Sequence, residues 1–193
     1  MANFDSIFPT PPIGGKLTDI QNMVNTNNTD KQFGNNPNAS VTILEFSDFQ
    51  CPACAQTSFE VHKVIQYYGN QINFIYKHFP AHDDSLKAAE ASECARDQGK
   101  FWEYHDKLFE NMQNLKVKDL KRYAQKMLLD TTKFNECLDS GIKSTKIESD
   151  FAEGIKYQIR GTPTFIINEK MVTGGRSFEE FKQIIGAELK NAE

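Results

Sequence analysis

Cys51 and Cys54, separated by two residues, are the side chains of this chain whose type and spacing could perform redox chemistry. A strand-like run, residues 41–46, precedes them, and a helix-like run, residues 56–68, follows. Cys51 therefore falls near the first turn of a helix, where unpaired backbone N–H groups and the helix dipole favour a thiolate. A thiolate attacks a disulfide, and a second thiol three residues later can expel the bound partner. The motif predicts a redox dithiol.

Two other interpretations of the motif stay open: half of a zinc site and a purely structural disulfide. A structural zinc site needs a second cysteine pair at similar spacing, but Cys94 and Cys137 each stand alone. His78 and His82 are four positions apart, yet Pro80 between them disfavours a shared helical face. A disulfide within the motif closes too short a loop to stabilise the fold much. We therefore expect no metal site.

Length and charge set the frame for the fold. The 193 residues favour one domain, and the net charge of −4 gives no reason to expect a nucleic-acid partner. No apolar run approaches the roughly 20 residues of a membrane span, and no signal peptide is visible. Four cysteines are an even number, which suits an oxidising compartment.

The elements around the motif predict an α/β fold. Residues 41–46 are apolar except at Glu45 and Thr42, which is typical of a strand covered on both faces. Residues 72–76 read as a second strand. Strand, helix and strand in this order form a right-handed unit with parallel strands. The intervening helix offers apolar side chains for packing, namely Phe59, Val61, Val64, Ile65 and Tyr68.

A helical insertion, at about 83–159, follows the second strand. Its apolar spacing marks helices around Leu86–Ala95, Phe101–Phe109, Leu120–Leu128 and Ile147–Ile155. The aromatic run within the second of these, residues 101–104, favours helical core over a ligand platform.

The remaining segments lie at the two ends of the chain. After Gly161 the sequence predicts a strand to residue 167, a turn at 168–170, a strand at 171–173 and a final helix. Ser177 and Glu180 form a capping box at the start of that helix. Residues 1–38 form an arm with a short helix at 16–24, either a spacer or a docked extension, before a domain at 39–193.

The combined pattern resembles thioredoxin, and the long helical insertion makes it similar to the DsbA-like thiol:disulfide oxidoreductases. The residues that carry the resemblance are a βαβ unit with Cys-Pro-x-Cys at the helix start, within Glu-Phe-x-Asp-Phe-x-Cys-Pro-x-Cys, and Gly161-Thr162-Pro163 before a hairpin. The similarity covers residues from about 38 to 190. It implies a thioredoxin fold with a helical insertion between the βαβ unit and the C-terminal hairpin and helix.

The resemblance also implies roles for single residues. Cys51 would be the exposed attacking thiolate, and Cys54 the more buried resolving cysteine. Pro163 would be a cis proline facing the dithiol, with Thr162 before it, which leaves the flanking backbone free to pair with an extended substrate. A proline that merely starts a strand is the alternative for Pro163.

Glu45 occupies the position of the buried acid in thioredoxin-like proteins. A carboxyl in an apolar strand should have a raised pKa, which suits proton transfer to or from Cys54. The alternative is a solvated glutamate at an edge. Ala53 departs from the family, because the strongly oxidising members carry a histidine there that stabilises the thiolate.

Cys94 and Cys137 both fall in the helical insertion. As free thiols they would behave as small apolar side chains. The family resemblance favours instead a structural disulfide between two insertion helices. Such a bond would indicate a protein that works outside the reducing cytosol.

The sequence as a whole predicts an extracytoplasmic enzyme, in the periplasm or cell envelope, with any signal or anchor absent from these residues. It would oxidise protein thiols through Cys51-Pro52-Ala53-Cys54 and be recycled by a membrane redox partner. We expect a monomer with no cofactor. A reductase or isomerase and a non-enzymatic binding module are the alternatives, whereas a glutathione-dependent transferase is disfavoured because both motif cysteines are present.

Overall fold

The computed structural model describes Phe33 and residues 36–191, which contain four strands and seven α-helices. The strands are β1 (Val41–Ser47), β2 (Ile72–His78), β3 (Thr164–Ile167) and β4 (Lys170–Thr173). The helices are α1 (Pro52–Tyr68), α2 (Ser85–Arg96), α3 (Phe101–Glu110), α4 (Val117–Lys126), α5 (Thr131–Ser140), α6 (Ser144–Lys156) and α7 (Phe178–Asn191). The α/β class and the helical insertion between β2 and β3 are confirmed.

One mixed sheet organises these elements, with the strand order β2-β1-β3-β4. β1 runs parallel to β2, which confirms the predicted βαβ unit. β3 is antiparallel to β1, and β4 is antiparallel to β3, as the predicted hairpin requires. The motif cysteines follow the carboxyl end of the central strand β1.

Both faces of the sheet are covered, and β1 is buried along almost its whole length. Val41 and Ile43 belong to the larger core, to which α1, α7 and the insertion contribute. Leu44 and Phe46 belong to a smaller core that includes side chains from α6 and from the segment after it. Because side chains alternate along a strand, Glu45 shares the face of Val41 and Ile43, toward α1.

The structure corrects two packing predictions. Phe59 was expected to pack in the core, but it is 67% exposed. Leu128 was expected to end a helix, but α4 ends at Lys126, and Leu128 has a φ of +59° and is 91% exposed. The structure also adds α5, which the apolar spacing did not mark as a helix of its own.

The predictions for the last helix and for the N-terminal arm had different outcomes. Ser177 and Glu180 form the predicted capping box: the backbone N–H of Ser177 donates to Glu180 Oε2 at 2.9 Å, and the Glu180 N–H lies 3.4 Å from Ser177 Oγ. In the arm, Phe33 pairs with Phe74 of β2 through backbone hydrogen bonds of 3.1 and 2.8 Å. The predicted helix at 16–24 lies outside the described residues, and the boundary at residue 38 stays a prediction.

Candidate active site

The loop between β1 and α1 is held by a single buried carboxylate, that of Asp48. Asp48 accepts hydrogen bonds from donors on both sides of the site, which are Gln50 N, Ala81 N, His82 Nδ1 and Ser85 Oγ. The backbone carbonyl of the same residue accepts from the N–H of Cys51 at 3.0 Å. Asp48 therefore ties the dithiol loop to the start of the helical insertion.

Cys51 stands at the N-cap position of α1, directly before Pro52. Its sulfur lies 3.2 Å from the carbonyl oxygen of Thr162. A hydrogen bond from the Cys54 thiol is the main cause that lowers the pKa of Cys51 to about 5, and the backbone N–H groups of Cys54 and Ala53 lower it further. This arrangement favours a thiolate at neutral pH.

Cys51 was predicted to be exposed, but its side chain is almost completely buried. Cys51 is 7% exposed and Cys54 is fully buried, so the order of accessibility is as expected but the opening is narrow. The segment that carries Thr162 contacts the Cys51 sulfur and restricts solvent there. Burial is the main cause that raises the pKa of Cys54 well above that of a free thiol. The two sulfurs are therefore chemically unequal.

Glu45 is buried on the face of β1 that points toward α1, with 2% exposure, so it is not a solvated edge residue. Burial raises the pKa of its carboxyl to about 7. Its Oε1 atom has no hydrogen-bond partner among the described residues. A carboxyl with these properties can hold or release a proton near neutral pH.

The segment opposite the dithiol contains a cis peptide bond between Thr162 and Pro163. The Pro163 carbonyl accepts a hydrogen bond from the N–H of Gly174 at 2.8 Å. The hydroxyl of Thr164 donates to Gly161 O at 2.7 Å. Thr162, which contacts Cys51, therefore lies in a segment that these two hydrogen bonds hold in place.

Cys94 and Cys137 form a disulfide between α2 and α5, with an S–S distance of 2.01 Å. Cys51 and Cys54 are both free thiols. The structure therefore separates the four cysteines into a bonded pair within the insertion and a dithiol at the end of the sheet.

Two concave surfaces flank the first turns of α1. One, with a cavity volume of about 360 Å³, is lined by Ala53, Gln56, Thr57, Glu60, Gly175, Arg176 and Ser177. The other, with a cavity volume of about 240 Å³, is lined by Ala55, Ser58, Phe59, His62, Asp106, Phe109 and Glu110. The first of them reaches Ala53, one of the two residues between the cysteines.

Sequence reasoning did not identify two groups of polar residues near the site. Asp48 appeared only as one letter of the family signature, although three of its four donors come from the distant segment at 81–85. His62, His105 and Asp106 form a compact group of possible metal ligands, with their ligand atoms all within 4.8 Å of one another. Neither group has a local spacing signal, because its members are brought together only by the packing of separate elements.

The fold and site define a class of protein: a thioredoxin-like domain with a Cys-x-x-Cys dithiol opposite a cis proline. A family model described as Thioredoxin matches residues 26–187, and the chain belongs to this family. Its structural neighbours include DsbA-like thiol:disulfide oxidoreductases.

Among solved structures, a thioredoxin-like oxidoreductase from Silicibacter pomeroyi is 25% identical, with a TM-score of 0.73, covering 98% of this chain and 99% of that one. BdbD from Bacillus subtilis, in oxidised form, is 29% identical with a TM-score of 0.73, covering 82% of this chain and 91% of that one. Alpha-DsbA2 from Wolbachia pipientis, described as a thiol-disulfide exchange protein, is similar in fold, with a TM-score of 0.76 at 18% identity over 89% of this chain and 94% of that one.

The curated relatives are membrane transporters by name. A Na⁺/H⁺ antiporter NhaA 3 from Salinispora tropica is 32% identical over 157 residues, which are 80% of this chain and 24% of the antiporter. The chain thus spans about a quarter of the length of such relatives. In the described part of this chain, no helix combines the length and the apolar character that crossing a bilayer requires.

Proposed function

We propose that this chain is a thiol:disulfide oxidoreductase, which oxidises protein thiols by passing on a disulfide held between Cys51 and Cys54. The observation that carries the proposal is the inequality of the two sulfurs: the pKa of Cys51 is lowered to about 5, whereas burial raises that of Cys54. A thiolate stabilised in the reduced form makes the disulfide form a better oxidant, because reduction releases that stabilisation. The direction of exchange is therefore oxidising.

In the proposed reaction a substrate thiolate attacks the Cys51 sulfur of the disulfide, and the S–S bond breaks toward Cys54. Cys54 leaves as a sulfur of high pKa, so it needs a proton. Glu45, with a pKa of about 7, is the donor we assign. A second substrate thiolate then attacks the substrate sulfur of the mixed disulfide, which yields a substrate disulfide and the Cys51 thiolate. Two electrons pass from the substrate to the dithiol.

Thr162 and Pro163 are assigned to substrate binding. The Thr162 carbonyl lies beside the Cys51 sulfur, and Pro163 has no N–H of its own to satisfy. An extended substrate segment placed there could pair with the backbone of this stretch while its sulfur approaches Cys51.

The proposed setting is extracytoplasmic, with a membrane redox partner that restores the Cys51–Cys54 disulfide. The disulfide between Cys94 and Cys137 supports this setting, because such bonds persist in oxidising compartments. Antiport is not part of the proposal, because the chain spans about a quarter of the curated antiporters.

The test compares two cysteine variants of the reduced protein with a peptide that contains one disulfide. Cys54→Ser should accumulate a mixed disulfide, because Cys51 attacks and no internal thiol resolves the product. Cys51→Ser should capture little, because Cys54 is fully buried. Pro163→Thr in the Cys54→Ser background is expected to lengthen the life of the adduct.

The direction is tested separately with the oxidised wild-type protein and a reduced two-thiol peptide. Fast, stoichiometric oxidation of the peptide supports the proposal. Equal trapping by both cysteine variants would overturn the assigned roles. Faster reduction of insulin than oxidation of the peptide, at matched concentrations, would reverse the direction.

A further inference from the structure

Three side chains from two helices converge beside the 240 Å³ cavity. His62 comes from α1, the helix that starts with the dithiol, whereas His105 and Asp106 come from α3 of the insertion. Oδ1 of Asp106 lies 2.8 Å from Nδ1 of His105 and 3.2 Å from Nε2 of His62. The three ligand atoms all lie within 4.8 Å of one another.

The 3.2 Å between His62 Nε2 and Asp106 Oδ1 is close to the separation of two ligands of a four-coordinate metal, whereas the 2.8 Å between Asp106 and His105 is a hydrogen-bond distance that a bound ion would lengthen. With metal–ligand bonds of about 2.0–2.1 Å, ligand atoms at tetrahedral positions are about 3.3 Å apart. His62 Nε2 is buried and, despite the 3.2 Å distance, has no aligned hydrogen bond. The two atoms are thus close enough to share one ion, and the direct contact between them is poorly aligned.

We propose that His62, His105 and Asp106 bind a divalent transition-metal ion, with Zn²⁺ as the best match. Two imidazole nitrogens and one carboxylate oxygen suit zinc and its neighbours rather than Mg²⁺ or Ca²⁺, which prefer oxygen ligands. His62 and Asp106 both line the cavity, so a fourth position opens onto it, where Glu110 or water can complete the coordination.

The ion would link the dithiol helix to the insertion. α1 carries His62 in its middle and the cysteines at its start, while α3 belongs to the block that the Cys94–Cys137 bond closes. An ion that binds only the folded arrangement stabilises the whole domain. The binding is independent of the proposed redox direction, since neither sulfur takes part.

The dithiol could itself bind Zn²⁺ or Co²⁺, so the test uses tag-free protein whose Cys51 and Cys54 are oxidised to a disulfide. Co²⁺ is the spectroscopic probe, because four-coordinate Co²⁺ absorbs strongly in the visible region, and Zn²⁺ is titrated by calorimetry. The buffer is held near pH 8, because protons compete with metal for imidazole and carboxylate ligands. The oxidised wild type should bind one ion per chain and release protons.

Two half-exposed ligands allow substitutions that leave the core intact. The side chains of His62 and Asp106 are 41% and 42% exposed. His62→Gln and Asp106→Asn should each weaken binding by more than about tenfold, the least expected for loss of a direct ligand. Asp139→Asn is the matched control, since this aspartate is 58% exposed and lies outside the group; its affinity should equal that of the wild type.

Thermal unfolding gives a second readout. Zn²⁺ at about 100 times its dissociation constant should raise the Tm of the oxidised wild type by roughly 5–10 °C, and that of Asp139→Asn equally. His62→Gln and Asp106→Asn should show no shift at that concentration. No Co²⁺ band in the oxidised wild type, or wild-type binding by both ligand variants, would overturn the proposal and leave a hydrogen-bonded His-Asp-His group.

Discussion

Acidification should destabilise the reduced protein relative to the oxidised protein, because only the reduced form carries a Cys51 thiolate. The pKa of Cys51 is lowered to about 5 in the folded state, whereas an unfolded cysteine titrates at about 8.5. A lowered pKa contributes stability that is fully present above the unfolded pKa and is lost as pH falls through the folded pKa. The contribution should therefore decline from about pH 8.5 downward and be gone near pH 4.

The stability that the Cys51 thiolate contributes at neutral pH follows from the difference between the folded pKa of Cys51 and pH 7. That interval is about two pH units, and at about 1.4 kcal/mol per unit it gives about 2.7 kcal/mol. Solvent screening at the mouth of the site lowers this value, so we expect a contribution between about 1.5 kcal/mol and the unscreened value of about 2.7 kcal/mol. The same free energy corresponds to about 30–60 mV in the reduction potential of the couple, in favour of the dithiol.

The assay is guanidinium unfolding of the oxidised and the reduced protein, each at about pH 4 and pH 7. Subtracting the two free energies of unfolding at each pH cancels the contribution of groups that titrate alike in both forms. Between pH 4 and pH 7 this difference should change by about 1.5–2.7 kcal/mol. Reduced Cys51→Ser protein is the control and should lack this change. A change below about 0.5 kcal/mol, or an alkylation midpoint near that of a free thiol, would refute the assigned stabilisation of the thiolate.

Two further substitutions test the buried acid and the insertion disulfide. Glu45→Gln should slow oxidation of a two-thiol peptide at least about tenfold, because Cys54 then lacks its proton donor. The same variant should raise the free energy of unfolding at pH 7 by about 2–3 kcal/mol, since burial disfavours the charged carboxylate whose pKa is about 7; equal rates and stabilities would contradict both statements. Replacing Cys94 and Cys137 together by alanine should lower the free energy of unfolding by roughly 4 kcal/mol on the chain-entropy model, because 43 positions separate them. In that variant the alkylation rate of Cys51 should stay unchanged, and a large fall would show that the disulfide also shapes the dithiol.

The parts of the fold that the sequence predicted are those with local signals. The βαβ unit, the hairpin and the Ser177–Glu180 capping box each depend on residues a few positions apart, so pattern and turn chemistry were sufficient. The Cys51–Cys54 dithiol was likewise predicted from its spacing and its place before a helix, whereas the cis bond before Pro163 was reached through the family resemblance, which joins motifs that are far apart in the chain.

Phe59 shows why an apolar side chain alone is a poor guide to packing. The buried positions of α1 include Cys54, Thr57, Ser58, Val61, Val64 and Tyr68, which follow helical spacing. Phe59 lies off that face. On the buried face, the backbone at Gly175 approaches Thr57 so closely that a side chain at residue 175 would meet the Thr57 hydroxyl. Only the tertiary structure supplies that constraint.

Asp48 shows that sequence spacing also fails to reveal the hydrogen-bond partners of a buried carboxylate. Its carboxylate is fully buried and accepts hydrogen bonds from its own loop and from the segment at 81–85, which is distant in sequence. A buried carboxylate is tolerated only with such partners. Sequence spacing cannot reveal them, because the donors include two backbone N–H groups that any residue could provide.

Ala53 stands where strongly oxidising relatives carry a histidine. Without that histidine, the pKa of Cys51 is lowered chiefly by a hydrogen bond with the Cys54 thiol, next by one with Thr162, and then by backbone N–H groups at the start of α1. These donors are fixed by the N-cap position of Cys51 and do not depend on the side chain at residue 53. Ala53 instead lines the open cavity of about 360 Å³, together with Arg176. The side chain at residue 53 therefore contributes to the surface beside the dithiol, whereas the backbone N–H groups of residues 53 and 54 help to stabilise the thiolate.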